Sequence, residues 1–60
     1  MRPLTTIEKA GTIIRHPAAG TVAEIRGCYR GGFIVKVLEG YNVGVTLMLP
    51  FEKVNQWEIR

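Results

Sequence analysis

Residues that interrupt regular structure recur along the whole chain, about every five to seven positions. They are Gly11, His16-Pro17, Gly20, Gly27, Gly31-Gly32, Gly40, Asn42 and Pro50. Short runs rich in Val, Ile, Phe and Thr lie between them. This alternation of apolar runs and turn residues is typical of short β-strands with short connections. The sequence therefore predicts an all-β domain.

The apolar runs predict five strands, over 11–15, 20–26, 33–38, 43–49 and 56–60. Alternate side chains of a strand point to opposite faces. One face of the third and fourth strands is expected to fill the interior with Phe33, Val35, Val37, Val45 and Leu47. In the last strand, Trp57 is expected in the core on the same face as Ile59. Five such strands can curl into a small barrel.

The second strand departs from simple alternation. Val22 and Ile25 are three residues apart, so a regular strand would place them on opposite faces. Burying both requires a bulge or a sharp coil near Ala23-Glu24. Before the first strand, Thr5 and Glu8 have the spacing of a capping box, but the segment is too short for a stable helix. Residues 1–10 are therefore predicted to be an irregular arm or a single turn, ahead of a barrel over 11–60.

The size and composition exclude several classes of protein. Sixty residues make at most one domain, and one this small has marginal stability. Cys28 is the only cysteine and His16 the only histidine, so neither a disulfide nor a tetrahedral metal site is expected, and no cofactor is predicted. No apolar run is long enough to span a membrane, and no signal peptide is evident. A lone cysteine without secretion signals indicates the cytoplasm.

Two features resemble the SH3-like small barrels. The turn "PFEKV" precedes the last of five short strands, where that family commonly has a single 3₁₀ turn. The stretch "GTIIRHPAAGTVAEI" is similar to the KOW variant, in which a glycine opens the second strand and an apolar residue follows two later; Gly20 and Val22 fill those places. The resemblance covers roughly residues 11–60. It implies a five-stranded SH3-like barrel with a 3₁₀ turn before the last strand.

The size and topology also resemble those of the plasmid-type dihydrofolate reductase, a tetramer of small SH3-like barrels. That enzyme has a Gln and a Tyr flanking an Ile in its fourth strand, just before a proline. Here "LMLP" places Leu47 and Leu49 at the two polar positions. The catalytic positions are not matched, so the resemblance does not carry that activity to this chain.

Catalytic groups are not expected elsewhere in the chain. Cys28 and His16 fall on turns assigned to opposite ends of the barrel, and nothing is available to orient the imidazole. Glu24 and Glu58 are expected to be solvated surface carboxylates. No motif for nucleotide binding or hydrolysis occurs. We therefore expect a protein that is not an enzyme.

One end of the barrel is predicted to be basic. In an up-and-down order, the 27–32 and 50–55 turns and the arm share an end. The candidate nucleic-acid-binding residues there, called the basic end below, are Lys9, Arg26, Tyr29, Arg30 and Lys53. Arginine can contact phosphates and tyrosine can stack on bases of single-stranded nucleic acid. The alternative is that "RGCYRGG", residues 26–32, is only a soluble turn.

An apolar group is predicted on the outside of the third and fourth strands. If the interior is filled as above, Ile34, Leu38 and Met48, called the outer patch below, face outward. A clustered exposed apolar patch usually marks an interface. The alternative is that the arm covers it with Leu4 and Ile7. Two hypotheses follow. In the first, the protein is an interaction or assembly subunit that binds a protein partner or copies of itself. In the second, it is a small nucleic-acid-binding protein that uses the basic end.

Overall fold

The computed structural model describes residues 2–60, which form one antiparallel sheet and one 3₁₀ helix. The strands are β1 (Arg2–Pro3), β2 (Ile13–His16), β3 (Thr21–Tyr29), β4 (Gly32–Glu39), β5 (Thr46–Pro50) and β6 (Glu58–Ile59). The 3₁₀ helix, Phe51–Gln56, lies between β5 and β6, as the sequence predicted. No helix within the described residues has the length and apolar character needed to cross a membrane.

The strand order across the sheet is β1-β6-β2-β3-β4-β5. Residues from five of these elements and from the arm meet in one buried cluster: Leu4, Ile14, Ala23, Ile25, Phe33, Val35, Leu49 and Ile59. The sheet therefore curls around a single core. Its two edges, β1 and β5, do not pair with each other, so the sheet is not closed by hydrogen bonds.

The five predicted strands are present, with shifted ends. The first begins at Ile13 instead of 11, because Lys9 to Thr12 form a turn closed by a 3.2 Å bond from the Thr12 N–H to the Lys9 carbonyl. The fourth begins at Thr46 instead of 43, because Gly44 has a φ of 88° that only glycine adopts readily. The last begins at Glu58, because the 3₁₀ helix continues through residue 56.

The second predicted strand is longer than expected and is irregular at two places. Its pairing with β4 shifts between Val22 and Ala23 and again between Ile25 and Gly27. The sequence predicted one irregularity, near Ala23-Glu24, and the first shift lies one position before it. The physical reason was correct, because Val22 and Ile25 are both buried. The second shift has no counterpart in the sequence prediction.

The turn predicted over 27–32 is shorter in the structure. The strand β3 continues through Tyr29, and β4 begins at Gly32, with Tyr29 and Gly32 paired. Only Arg30 and Gly31 lie between the strands. Gly31 has a φ of 96°, in the region that glycine adopts without the steric penalty of other residues. The "RGCYRGG" stretch is thus mostly strand, with a two-residue turn near its end.

The interior contains most of the predicted core. Phe33, Val35 and Val37 are almost fully buried, as expected from their alternation. Val45 and Leu47, expected to fill the interior, are instead 43% and 40% exposed. They precede or lie in β5, an edge strand that has no neighbour on its outer side among residues 2–60, so the sheet does not cover them.

Trp57 lies at the margin of the core and is half-buried against it. Its ring makes an edge-on contact with His16, with the ring centroids 5.1 Å apart. It precedes β6 instead of lying within a strand. The expectation of a core tryptophan is therefore met only in part.

The arm forms the edge of the sheet opposite to β5. Residues 2 and 3 form β1, which pairs with β6, and the Leu4 N–H donates to the Trp57 carbonyl at 3.3 Å. Leu4 is buried in the core. The Thr5 hydroxyl donates to the Glu8 carboxylate at 2.6 Å, but the segment forms turns and no helix.

Candidate functional site

The outer patch is divided into two parts. Ile34 and Met48 are paired directly across β4 and β5, and Met48 is 66% exposed while Ile34 is half-buried. Leu38 lies farther along β4 and is 38% exposed. Lys36 stands between Ile34 and Leu38 on the same face, opposite Thr46. The structure therefore brings Ile34 and Met48 together and places Leu38 beyond a charged residue.

The arm does not cover the outer patch. Leu4, the side chain expected to fold over it, is buried in the core. Ile7, the other candidate, is 86% exposed. The arm also begins at β1, which forms the opposite edge of the sheet from β5. Within residues 2–60, Leu38 and Met48 are thus exposed, while Ile34 is half-buried.

Charged side chains border the Ile34 and Met48 pair on the same outer face. Glu24 is paired with Lys36 across β3 and β4. The Arg26 guanidinium lies 3.6 Å from the Glu24 carboxylate. The result is a small apolar centre with a charged margin, which is the usual arrangement of a protein–protein interface.

Sequence reasoning missed that the exposed apolar surface continues along β5. Beyond Met48, the exposed apolar side chains on β5 and the turn before it are Tyr41, Val43, Val45 and Leu47. The sequence carried one signal of this, because no charged residue occurs from Gly40 to Phe51. Such a run without charge favours an apolar surface, and a large exposed apolar patch marks an interaction site.

Backbone hydrogen bonds join some of the segments that carry the basic end. The Phe51 N–H donates to the Gly31 carbonyl at 2.9 Å, which joins the turn containing Arg30 to the 3₁₀ helix containing Lys53. The Gly11 N–H donates to the Ile25 carbonyl at 2.6 Å, which places the turn beginning at Lys9 beside β3. Lys9, Arg30 and Lys53 are all exposed.

Two members of the basic end already have partners within the chain. Arg26 is within ion-pair distance of Glu24, so part of its charge is compensated. Tyr29 is half-buried, and its ring lies over Gly32: a β-carbon built on Gly32 would be 2.6 Å from the Tyr29 hydroxyl oxygen. A tyrosine packed against its own hairpin offers less surface for stacking on a base.

Of the side chains considered for catalysis, His16, Glu24 and Glu58 have structural contacts and Cys28 is exposed. His16 Nδ1 accepts a hydrogen bond from the Ala19 N–H at 3.2 Å, while Cys28 is exposed on β3. Glu58 lies 3.6 Å from Arg15, and Arg60 bonds Glu39 at 3.2 Å. Within residues 2–60, no three His, Cys, Asp or Glu side chains are grouped as metal ligands.

Comparison of this chain with models of protein families, with characterised proteins and with solved structures gives no match. Two regions of its surface are candidates for function: the outer patch with the neighbouring strand β5, and the basic end.

Proposed function

We propose that this chain is a non-enzymatic, SH3-like binding module that acts as a protein-interaction or assembly subunit through the outer patch. The observation that carries the proposal is the exposure of Met48, 66%, beside Ile34 on a sheet face that the arm does not cover. Removing apolar surface from water gains about 25 cal/mol per Å². A protein surface that covers this face would gain that free energy.

The SH3-like assignment is supported by the order of the elements. Five strands, β2 to β6, surround one core, and the last pairs beside the first of them. A 3₁₀ helix precedes the last strand. These features fit the family that the sequence resembles, but a fold of this kind serves many functions.

Lysine substitutions test the outer patch. The double variant Leu38→Lys with Met48→Lys is expected to keep its fold, because both side chains are exposed, and to shift any assembly toward the monomer. Charges buried at an interface without partners are strongly unfavourable. Sedimentation velocity measures the assembly and circular dichroism measures the fold.

A matched control adds the same two charges elsewhere. Thr6 and Ile7 are exposed on the arm, so Thr6→Lys with Ile7→Lys raises the net charge equally without touching the patch. The control is expected to assemble like the original protein. If both double variants assemble normally, the outer patch is not the interface. If the patch variant alone unfolds, its side chains belong to the core.

A second candidate function, weak binding of single-stranded nucleic acid, is supported by the exposure of Lys9, Arg30 and Lys53 and by the backbone bond that joins the Arg30 turn to the 3₁₀ helix carrying Lys53. Three phosphate contacts would give a log–log salt slope of about −2, at about −0.7 per phosphate. Arg30→Ala is expected to reduce that slope by about one contact. Fluorescence titration of a short oligonucleotide at several salt concentrations measures it. Absence of binding at low salt would leave "RGCYRGG" as a hairpin without this function.

A further inference from the structure

The backbone of β5 presents hydrogen-bonding groups on its outer side. The Val37 N–H donates to the Val45 carbonyl, and the Phe51 N–H donates to the Gly31 carbonyl, each at 2.9 Å. Residues 45 and 51 therefore face β4. Because an antiparallel ladder alternates, Leu47 and Leu49 also face β4, while Thr46, Met48 and Pro50 direct their backbone groups away from it.

No strand occupies that outer side in the described part of the chain, since β5 is the last strand of the sheet. The N–H groups of Thr46 and Met48 and the carbonyls of Thr46, Met48 and Pro50 therefore point away from the sheet, where a further strand could bond them. Proteins usually protect such an edge with charged side chains, bulges or prolines. Here the β4–β5 register is continuous and the strand has no charged residue. Pro50, at the end of β5, is the only protection of this kind on the strand.

The side chains beside this edge are apolar on both faces of the sheet. Leu47, on the inner face, is 40% exposed, and Met48, on the outer face, is 66% exposed. A strand added to β5 would cover both at once. Pairing by strand addition combines main-chain hydrogen bonds with burial of alternate side chains.

We propose that β5 pairs antiparallel with β5 of a second copy of this chain, across a two-fold axis, so that the two sheets become continuous. The inference rests on the proposed function and names its partner and its mode of contact. A two-fold contact uses the same surface on both copies. Because β5 carries no charge, it meets its own copy without like-charge repulsion, and an antiparallel strand is complementary to itself.

One register satisfies every outward donor of the strand. With Leu47 placed opposite Leu47 of the second copy, Thr46 and Met48 exchange N–H···O=C bonds with Met48 and Thr46 of that copy. The two Leu47 side chains then form a non-hydrogen-bonded pair, in which side chains are close together. Pro50, without an N–H, lies just beyond these bonds and limits the length of the pairing.

The size of the chain allows a stable contact of this kind. Standard interfaces at the small end bury about 600 Å² on each partner. That is roughly a seventh of the 3990 Å² accessible surface of this chain. The exposed side chains of residues 43–48, together with the neighbouring outer patch, provide apolar surface for it.

Amide hydrogen exchange on the unmodified protein tests the edge directly. In a monomer, the Thr46 and Met48 amides face solvent and exchange fast, while those of Leu47 and Leu49 are protected by β4. We expect Thr46 and Met48 to become protected over the concentration range in which sedimentation shows a dimer. A dimer in which these two amides still exchange as in the monomer would overturn the proposal. So would a strict monomer at about 1 mM, which corresponds to negligible affinity.

A backbone substitution separates this proposal from the outer patch. Thr46→Pro removes one outward N–H per copy, at the first residue of the strand, where proline is tolerated. Two of four intermolecular bonds are lost, which is expected to weaken the dimer roughly tenfold. Thr46→Ala keeps the N–H and is the matched control, with an unchanged dimer expected.

The same experiment includes Leu38→Lys, a patch substitution outside β5. If Leu38→Lys disrupts the dimer and Thr46→Pro does not, the β5 edge is overturned and the outer patch remains the interface. If Thr46→Pro disrupts it and Leu38→Lys does not, the edge is supported and the patch does not mediate assembly. If neither has an effect on a measured dimer, both proposals are overturned.

Discussion

Replacement of Phe33 by alanine is expected to leave most of the protein unfolded. Phe33 is only 2% exposed, and its ring packs edge-on against Phe51 with centroids 5.1 Å apart. Truncating a buried phenylalanine typically costs about 3–5 kcal/mol. At about 0.05–0.15 kcal/mol per residue, the total stability of a 60-residue domain is about 3–9 kcal/mol. The variant therefore loses most of that stability.

Urea unfolding followed by circular dichroism measures this loss. Tyr41→Ala is the matched control, because Tyr41 is an aromatic residue that is 95% exposed. Its truncation should change the free energy of unfolding by less than about 0.5 kcal/mol. Equal unfolding midpoints for the two variants would mean that Phe33 does not lie in the core. The position of β4 in the sheet would then be wrong.

The number and order of the main strands were predictable because their signals are local. Turn residues divide the chain, and alternation assigns Phe33, Val35 and Val37 to one face without knowledge of the rest of the fold. The 3₁₀ helix over Phe51–Gln56 was expected from the resemblance to the SH3-like barrels, where such a turn commonly precedes the last strand. The strand signals, in contrast, depend on neighbours within a few positions.

The sequence could not show which side chains of a strand or of the arm are covered by other parts of the chain. Alternation correctly placed Leu47 on the inner face, but it cannot indicate that β5 is an edge strand with no neighbour beyond it. Leu47 is therefore 40% exposed despite facing inward. The same limit applies to the arm, where nothing local indicated that Leu4 would enter the core and leave Ile7 exposed. Such outcomes depend on contacts between distant parts of the chain.

The local structure of "RGCYRGG" was predicted wrongly, because most of the stretch is strand and not turn. Glycine is rare within strands, so the three glycines of "RGCYRGG" indicated a loop. Instead, Gly27 lies at an irregular position of β3, and Gly32 begins β4. Tyr29 and Gly32 are paired across a two-residue turn. A large ring can lie over a residue without a side chain, so an aromatic residue three positions before a glycine was the sequence signal of a strand pair that was missed.

The requirement for glycine at position 32 follows from the space above it. A β-carbon at Gly32 would overlap the Leu49 carbonyl oxygen and lie 2.7 Å from Cε1 of Tyr29. The Tyr29 ring can rotate away, but the Leu49 oxygen belongs to the backbone of β5 and moves only with the strand. We therefore expect Gly32→Ala to cost about 1–3 kcal/mol, as other overpacked sites do.

Gly27→Ala is the matched control, since a β-carbon built on Gly27 meets no atom within 4 Å. Alanine is favoured over glycine within a strand by about 0.5–1 kcal/mol, so this variant is expected to be as stable as the original or slightly more stable. Thermal unfolding of both variants measures the difference. Gly32→Ala should lower the melting temperature by on the order of 10 °C, given the steep dependence in domains of this size.

Adding Tyr29→Ala to Gly32→Ala separates the two causes of the loss. The double variant removes the clash with the ring but keeps the overlap with the Leu49 carbonyl. It should therefore regain only part of the stability that Gly32→Ala loses, and the two substitutions should be non-additive. Additive losses would mean that Tyr29 does not rest on Gly32 and that its ring is open to solvent. The tyrosine would then be available for stacking at the basic end. A coupled result would instead mean that Tyr29 and Gly32, the last glycine of "RGCYRGG", serve the hairpin.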